Sequence, residues 1–176
     1  MAGLEVRVDA SELTKLVADI KKEADPKPRL RELRAGLKAA AKPFVPALKA
    51  AIGRIPSKGL LPTPAARSKR RGGTLRSVMQ KAVTIKFRAS GRSAGVGVFM
   101  DPGKMPDGMK SLPAYFERKP GYERLRHPTY GNIEVWQQQA VPAAGYFTHT
   151  VQPLAFKAQR EAKKVLDETA DRIAKG

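Results

Sequence analysis

The feature that most constrains the fold is a run of apolar residues at helical spacing within residues 29–55. Its members recur every three to seven positions: Leu30, Leu33, Leu37, Phe44, Leu48 and Ile52. Pro43 and Pro46 stand inside the run, and each removes a backbone donor that a continuous helix would use. The pattern therefore predicts either one bent helix or two short ones. We favour one bent helix, because the apolar stripe stays in phase across both prolines.

A period of two residues, typical of strands, appears in two other places. At the N-terminus, three apolar residues alternate with charged ones and predict a short half-buried strand: Leu4, Val6 and Val8. Residues 83–88 and 94–99 alternate around a turn at residues 89–92, which predicts a β-hairpin. The alternation directs Lys86 and Arg88 to one face of the hairpin, while the apolar side chains of the same strand point to the core.

Helical patterns are also present near both ends of the chain. The first begins at Asp9 or Ser11 and extends to about Ala24, where two prolines follow. The last is an amphipathic helix from Pro153 to Lys175. A short helix is predicted over residues 74–80, and residues 112–146 carry no regular pattern.

These elements predict one α+β domain over residues 1–176. A small antiparallel sheet, built from the N-terminal strand and the central hairpin, packs against the long helix and the C-terminal amphipathic helix. Residues 56–73 lack periodicity and are rich in proline, glycine and basic residues, so we expect a long basic loop or arm there.

The charge of the chain is concentrated in its middle. The protein has 34 Lys and Arg against 16 Asp and Glu, a net charge of +18. Residues 33–100 hold fifteen of the basic residues and none of the acidic ones. Such a block attracts polyanions, and the partner can be nucleic acid or an acidic protein. A third interpretation is a basic surface that contacts only solvent and binds no partner, since runs of Lys and Arg often have no other role.

Eight basic residues of this block are the predicted contacts with DNA or an acidic partner: Lys58, Arg67, Lys69, Arg70, Arg71, Lys86, Arg88 and Arg92. The first five belong to the loop, and the last three to the hairpin. The loop has too few apolar residues to pack by itself, so we expect it to become ordered only against a partner.

Catalytic, metal and cofactor chemistry find no support in the sequence, and we predict neither an enzyme nor a cofactor. Without cysteine, disulfides and thiolate metal sites are excluded. The two histidines, His127 and His149, match no zinc spacing. A triad of Ser90, His127 and Asp101 lacks a nucleophile elbow, and the glycine-rich turn at residues 91–97 lacks the lysine of a P-loop. No apolar run is long enough to span a bilayer, so no membrane partner is expected.

The tyrosines and the tryptophan cluster outside the most basic block. All four tyrosines and the single tryptophan fall within residues 115–146. We interpret them as core and subunit-interface residues rather than as platforms for stacked bases. The predicted interface or structural residues are Tyr115, Phe116, His127, Tyr130, Trp136, Tyr146 and Phe147.

The order of several short motifs resembles a known family. A basic amphipathic helix precedes Gly73-Thr-Leu-Arg-Ser77, the hairpin and then Leu112-Pro-Ala-Tyr-Phe-Glu117. Arg126-His-Pro-Thr-Tyr-Gly131, Trp136-Gln-Gln-Gln and Gly145-Tyr-Phe147 follow, and a C-terminal helix ends the chain. In this order the chain resembles the siphophage neck and tail-completion proteins, the family similar to the minor tail protein Z of phage lambda. The family's commoner form after the helix is Thr-Gly-x-Leu-x-x-Ser, and residues 58–72 look like an insertion.

The resemblance implies a structural virion protein that is assembled in the bacterial host cytoplasm and located in the neck. Copies of the chain would form a homo-oligomeric ring, expected to be a hexamer, that joins the head connector to the tail tube and can line the channel for packaged double-stranded DNA. Its partners would be neighbouring neck proteins, such as a head-closure protein or a tail terminator. The alternative from another class is a free basic nucleic-acid-binding protein, and the oligomeric state distinguishes the two.

Overall fold

The architecture comes from a computed structural model. It describes residues 3–6, 10–55, 75–89, 94–107, 109–117, 125–129, 132–139 and 145–175, with the backbone alone for 3–6, 125–129 and 132–139. The elements in chain order are β1 (Gly3–Val6), α1 (Ala10–Ile20), α2 (Pro26–Ala41), α3 (Phe44–Arg54), α4 (Leu75–Ala82), β2 (Val83–Arg88), β3 (Gly95–Met100), a 3₁₀ turn (Pro102–Lys104), α5 (Leu112–Glu117), β4 (Leu125–Thr129), β5 (Asn132–Gln139) and α6 (Tyr146–Lys175). The α+β class that the sequence predicts is confirmed.

The N-terminal strand and the central hairpin form one antiparallel sheet, as expected. β3 lies in the centre, with β1 on one side and β2 on the other. Ile85 lies opposite Val98, and Phe87 lies opposite Val96. Val96 and Val98 are fully buried, because the helices cover this face of the central strand. The sheet therefore has one face in the core and one face that carries the basic residues of β2.

The long apolar run forms two helices, so the favoured single bent helix is wrong. Pro43 has no N–H to donate to the Ala39 carbonyl, and the Lys42 N–H donates to that carbonyl at 3.1 Å instead. Pro46 cannot donate to the carbonyl of Lys42, which accepts from the Val45 N–H at 3.1 Å. Lys42 and Pro43 both keep right-handed helical dihedrals, so the apolar stripe stays in phase across the break.

The prolines after α1 start a helix rather than only ending one. α1 ends at Ile20, earlier than the expected Ala24, through a last turn in which the Glu23 N–H donates to the Ile20 carbonyl at 3.2 Å. α2 then begins at Pro26. The backbone N–H groups in the first turn of a helix have no acceptor within the helix, so proline, which lacks this donor, is tolerated there.

The C-terminal helix begins at Tyr146, about two turns before the expected start at Pro153. Its N-terminus is capped from outside the helix by the carboxylate of Glu117, which accepts from the Phe147 N–H at 2.9 Å and the Thr148 N–H at 3.1 Å. Pro153 lies inside the helix on its exposed side. A proline after a polar segment usually marks a helix start, which is why the sequence places the boundary too late.

Residues 112–146, expected to be irregular, contain a short helix and a hairpin. β4 and β5 pair antiparallel, with an irregularity between Pro128 and Thr129. Pro128 in the strand concealed the pattern, because proline cannot donate to a ladder. A two-stranded hairpin has only edge strands, where a proline is tolerated.

The core lies between the three-stranded sheet and helices α2, α3 and α6. Its largest fully buried side chains are Phe44, Phe147, Leu13, Ile20, Leu33, Leu37, Leu48, Ile52, Met79, Leu166 and Val96. None of the described helices combines the length and apolar character needed to cross a membrane.

Candidate polyanion-binding surface

Two of the predicted contact residues lie on the exposed side of β2. Lys86 and Arg88 are exposed, as the alternation of the strand predicts. Both extend over the ring of Phe99 on the central strand: the Lys86 Nζ is 5.9 Å and the Arg88 Cζ is 5.6 Å from the ring centre. Phe99 is only 8 % exposed, and these cation–π contacts place two positive charges on the face of the sheet away from the core.

The other predicted contacts stay predictions, because they lie outside the described residues: Lys58, Arg67, Lys69, Arg70, Arg71 and Arg92. The expected basic loop at residues 56–73 lies outside them as well.

A line of exposed basic residues follows the outer side of α2 and α3. It consists of Lys27, Arg31, Arg34, Lys38, Lys42 and Lys49, and we name it the α2–α3 cationic stripe. Successive members are four, three, four, four and seven positions apart. At about 100° per residue they fall within an arc of about 80°, and they extend over about 33 Å along the helices. One side of the helix pair thus presents a continuous row of positive charge.

Sequence reasoning recognised a basic amphipathic helix here, with Lys38, Lys42 and Lys49 off its apolar stripe, but did not predict these residues as a binding surface. Lys27 and Arg31 precede the block that lacks acidic residues, so a search for uniformly basic sequence overlooks them. The signal was the recurrence of Lys and Arg at helical spacing, in phase with one another and out of phase with the apolar stripe. The break at Pro43 does not disturb that phase, since the backbone there stays helical.

No member of the stripe forms an ion pair with a residue whose side chain the structure describes. Asp25 and Glu32 border a depression together with Lys27 and Arg31, without forming an ion pair with either of them. Glu32 pairs instead with Arg172 at 3.0 Å. Lys163 of α6 contacts both Glu12 and Asp167, and these hydrogen bonds raise the pKa of its ammonium group. Within the described part of the chain, the six cations of the stripe are therefore exposed and not ion-paired, and carboxylates lie near only its N-terminal end.

A groove of about 380 Å³ lies beside the stripe, between α2 and the last residues of β2. Its lining combines basic and apolar residues: Lys27, Leu30, Arg31, Arg34, Phe87 and Ala89. The Arg34 Cζ lies 5.6 Å from the centre of the Phe87 ring. A guanidinium held over a ring by its flat face keeps its N–H donors at the edge, where they can reach oxygens of an anion.

This arrangement suits the recognition of phosphate oxygens rather than of bases. Lysine and arginine side chains spaced by one helical turn can each contact a phosphate of a duplex backbone. Such contacts release counterions, carry no sequence information and weaken steeply with salt. The stripe can therefore hold a polyanion without fixing its register.

The predicted interface aromatics divide into buried, half-buried and undescribed residues. Tyr146 and Phe147 are buried, and their rings meet edge to face at 6.3 Å between centroids. Phe116 meets Tyr146 in the same way at 6.5 Å, and Tyr115 beside it is half-buried. The side chains of His127 and Trp136, on β4 and β5, lie outside the description, as does Tyr130.

Four described hydrogen bonds join the end of α5 to the start of α6. Beyond the two backbone N–H groups, the Thr148 hydroxyl also donates to Glu117, and the Gly145 N–H donates to the Phe116 carbonyl at 3.2 Å. Gly145 has a φ of +72°, a left-handed conformation that glycine adopts without strain. The segment between α5 and α6 is thus closed at its base by hydrogen bonds and by packed rings.

Comparisons of the chain with protein-family models, with curated proteins and with solved structures found no match.

Proposed function

We propose that this chain is a structural subunit of the head–tail junction of a tailed bacteriophage. In the proposal, copies of the chain form a ring that joins the head connector to the tail tube. In this arrangement the α2–α3 cationic stripe faces the packaged DNA in the channel, and Lys86 and Arg88 carry further positive charge on the face of the sheet that the helices do not cover.

The observation that carries the proposal is the stripe itself: six exposed cations in one row, none of them ion-paired with a described carboxylate. A row of point charges on flexible side chains binds phosphates without reading bases. DNA must pass through a channel during ejection, so a surface of dispersed phosphate contacts fits this role better than a tight, sequence-specific site would. The order of motifs along the chain, which resembles the neck and tail-completion family, supplies the location.

The stripe can be tested by the salt dependence of binding to a random-sequence DNA duplex. We expect the triple variant K38Q/K42Q/K49Q to bind more weakly than the wild type. The slope of log affinity against log salt concentration should become shallower by about 3, because about 0.9 is lost for each phosphate contact removed. Fluorescence anisotropy from about 50 to 200 mM salt measures both quantities.

The matched control is K15Q/K104Q/K175Q, which removes the same charge from exposed lysines outside the stripe. We expect its slope to stay close to that of the wild type. If both variants lose affinity and slope equally, DNA responds only to the net charge, and the stripe is not a binding surface.

The same stripe also fits a free nucleic-acid-binding protein, which is the second candidate function. The two functions differ in where the chain is found. A neck subunit remains in purified particles after a high-salt wash, and particles that lack it accumulate as unjoined heads and tails. A free binding protein is absent from the particles, and its loss leaves head–tail joining intact.

A further inference from the structure

We propose that a second copy of this chain docks on the groove between α2, α3 and α6 by inserting its Phe156 there. The inference rests on the proposed ring and names the contact that joins neighbouring subunits. It uses two features of α6 that the cationic stripe does not involve: an open apolar groove on one side of the helix and an exposed aromatic ring on the other.

The groove has a volume of about 290 Å³ and is lined mainly by apolar atoms. Its α2–α3 wall is made mostly of small residues with Phe44 at its base, and its α6 wall is mixed: Gly36, Ala39, Ala40, Pro43 and Phe44 face Leu154, Lys157, Ala158, Glu161 and Val165. A Cβ placed on Gly36 would lie 2.7 Å from the Val165 Cγ1, so the two helices touch at this end. The groove also reaches Pro43 and Leu154, and its volume is large enough for an aromatic ring.

Phe156 is the most exposed large apolar side chain in the described part of the protein. It is 75 % exposed, whereas Met109, the other exposed large apolar residue described, is 45 % exposed. Single apolar residues on a surface are common. Phe156 differs because it lies two positions from Leu154 and Ala158, which places it on the side of α6 opposite the groove.

The two features carry one pair of opposite charges, and Lys157 also lines the groove beside Glu161. Arg160 lies one turn after Phe156 on the exposed side of α6, and Glu161 lies at the groove. Neither forms an ion pair with a residue whose side chain is described. When Phe156 of one copy enters the groove of the next, its Arg160 is carried toward the Glu161 of the groove. The occupant we infer is therefore another copy of this chain.

A contact between two different patches, on opposite sides of the same helix, is head-to-tail. Each copy offers its ring to one neighbour and its groove to the other. Such contacts generate closed rings when the rotation between copies closes. The groove and the cationic stripe lie on roughly opposite sides of α2, so this contact leaves the stripe uncovered.

The test is the mass of the purified full chain in solution, measured by light scattering over a range of concentrations. We expect the wild type to form species larger than a dimer. Phe156→Glu should weaken self-association by about 10- to 100-fold, the factor that burial of one phenyl ring provides. Ala39→Trp should do the same, because the exposed Ala39 lines the groove and a tryptophan there can occupy it.

Mixing the two variants separates a head-to-tail contact from a symmetric one. A Phe156→Glu subunit keeps an intact groove, and an Ala39→Trp subunit keeps an intact ring. A one-to-one mixture should therefore form heterodimers and nothing larger. The control is Ala170→Glu, an exposed position about four turns further along the same side of α6, which should assemble like the wild type. Circular dichroism shows whether each variant is folded.

Three results would overturn the inference: a wild type that stays monomeric, a folded Phe156→Glu variant that assembles like the wild type, or a mixture that stays monomeric. The proposed function fails on other grounds. If Phe156→Glu assembles normally while particles still contain the chain in the neck, a ring exists but a different contact forms it. If the solution contact is present and the chain is absent from particles, the docking stands and the neck role does not.

Discussion

Tyr146 is a core residue whose hydroxyl has no hydrogen-bond partner in the described structure, although the residue is only 7 % exposed. Burial raises the pKa of this phenol, and the nearby Glu117 carboxylate raises it further. The fold therefore accepts only the neutral phenol. An unfolded chain loses the same proton near pH 10, so stability is fully present below that pH and declines above it.

We predict that Tyr146→Phe removes this alkaline loss. At neutral pH the free energy of unfolding should stay the same or rise by about 1 kcal/mol, because the variant no longer buries an unpaired hydroxyl. Above pH 10 the wild type should lose up to about 1.4 kcal/mol per pH unit relative to the variant. Urea unfolding of both proteins between pH 7 and pH 11 measures the difference. Parallel loss of stability in the two proteins would show that Tyr146 is not responsible.

Single residues also mark where sequence reasoning reached its limit. The exposure of Lys86 and Arg88 follows from a local period of two, and no tertiary knowledge was needed. The cap that Glu117 places on α6 joins residues about thirty positions apart. No local sequence pattern predicts such a contact, so the sequence analysis placed the start of α6 at Pro153.

At the scale of elements, α2 and α6 are in close contact at Gly36. A Cβ there would lie 2.7 Å from the Val165 Cγ1 and 3.2 Å from its Cγ2. Valine is stiff about χ1 in a helix, so its methyl groups cannot turn away cheaply. The two helices would have to separate, and they form the walls of the proposed docking groove.

We predict that Gly36→Ala lowers the free energy of unfolding by about 1–2 kcal/mol, because overpacking exceeds the gain in helix propensity. In a Val165→Ala background the same change should become stabilising by about 0.5–1 kcal/mol, since the methyl groups are gone. Gly53→Ala is the control: its Cβ would meet only the Gln80 Nε2, at 3.4 Å, and it should stabilise α3. Chemical unfolding of the wild type and of these variants measures the changes in the free energy of unfolding. A Gly36→Ala cost that is the same in both backgrounds would contradict the close contact.

Periodicity predicted the elements whose patterns were long and clean. The apolar stripe of α2–α3 and the alternation of β2 and β3 both give the observed elements. The structural effect of proline was predicted less well, and it differs at each of three positions. Pro43 divides a helix while keeping its phase, Pro153 stays inside one, and Pro128 stands in a strand. In each place, partners distant in sequence or the edge position decide what the proline does.

At the scale of the whole molecule, the cationic stripe and the proposed docking features occupy different surfaces of the described structure. The cationic stripe lies along the outer side of α2 and α3, beside the edge strand β2. The described ion pairs of α6 lie elsewhere, where Lys163 and Arg172 meet carboxylates of α1 and α2. The groove and Phe156 flank α6 on opposite sides. One subunit can therefore hold two neighbours and still present its positive charge to a third, negatively charged partner.

On the proposal that a tailed phage encodes the chain, the most direct test is a reconstruction, by electron cryomicroscopy, of the neck of the intact particles. The account predicts a closed ring of six copies at the head–tail junction, with the α2–α3 cationic stripe turned toward the DNA in the channel. A neck without this chain, or a ring whose stripe faces the surrounding solvent, would contradict it.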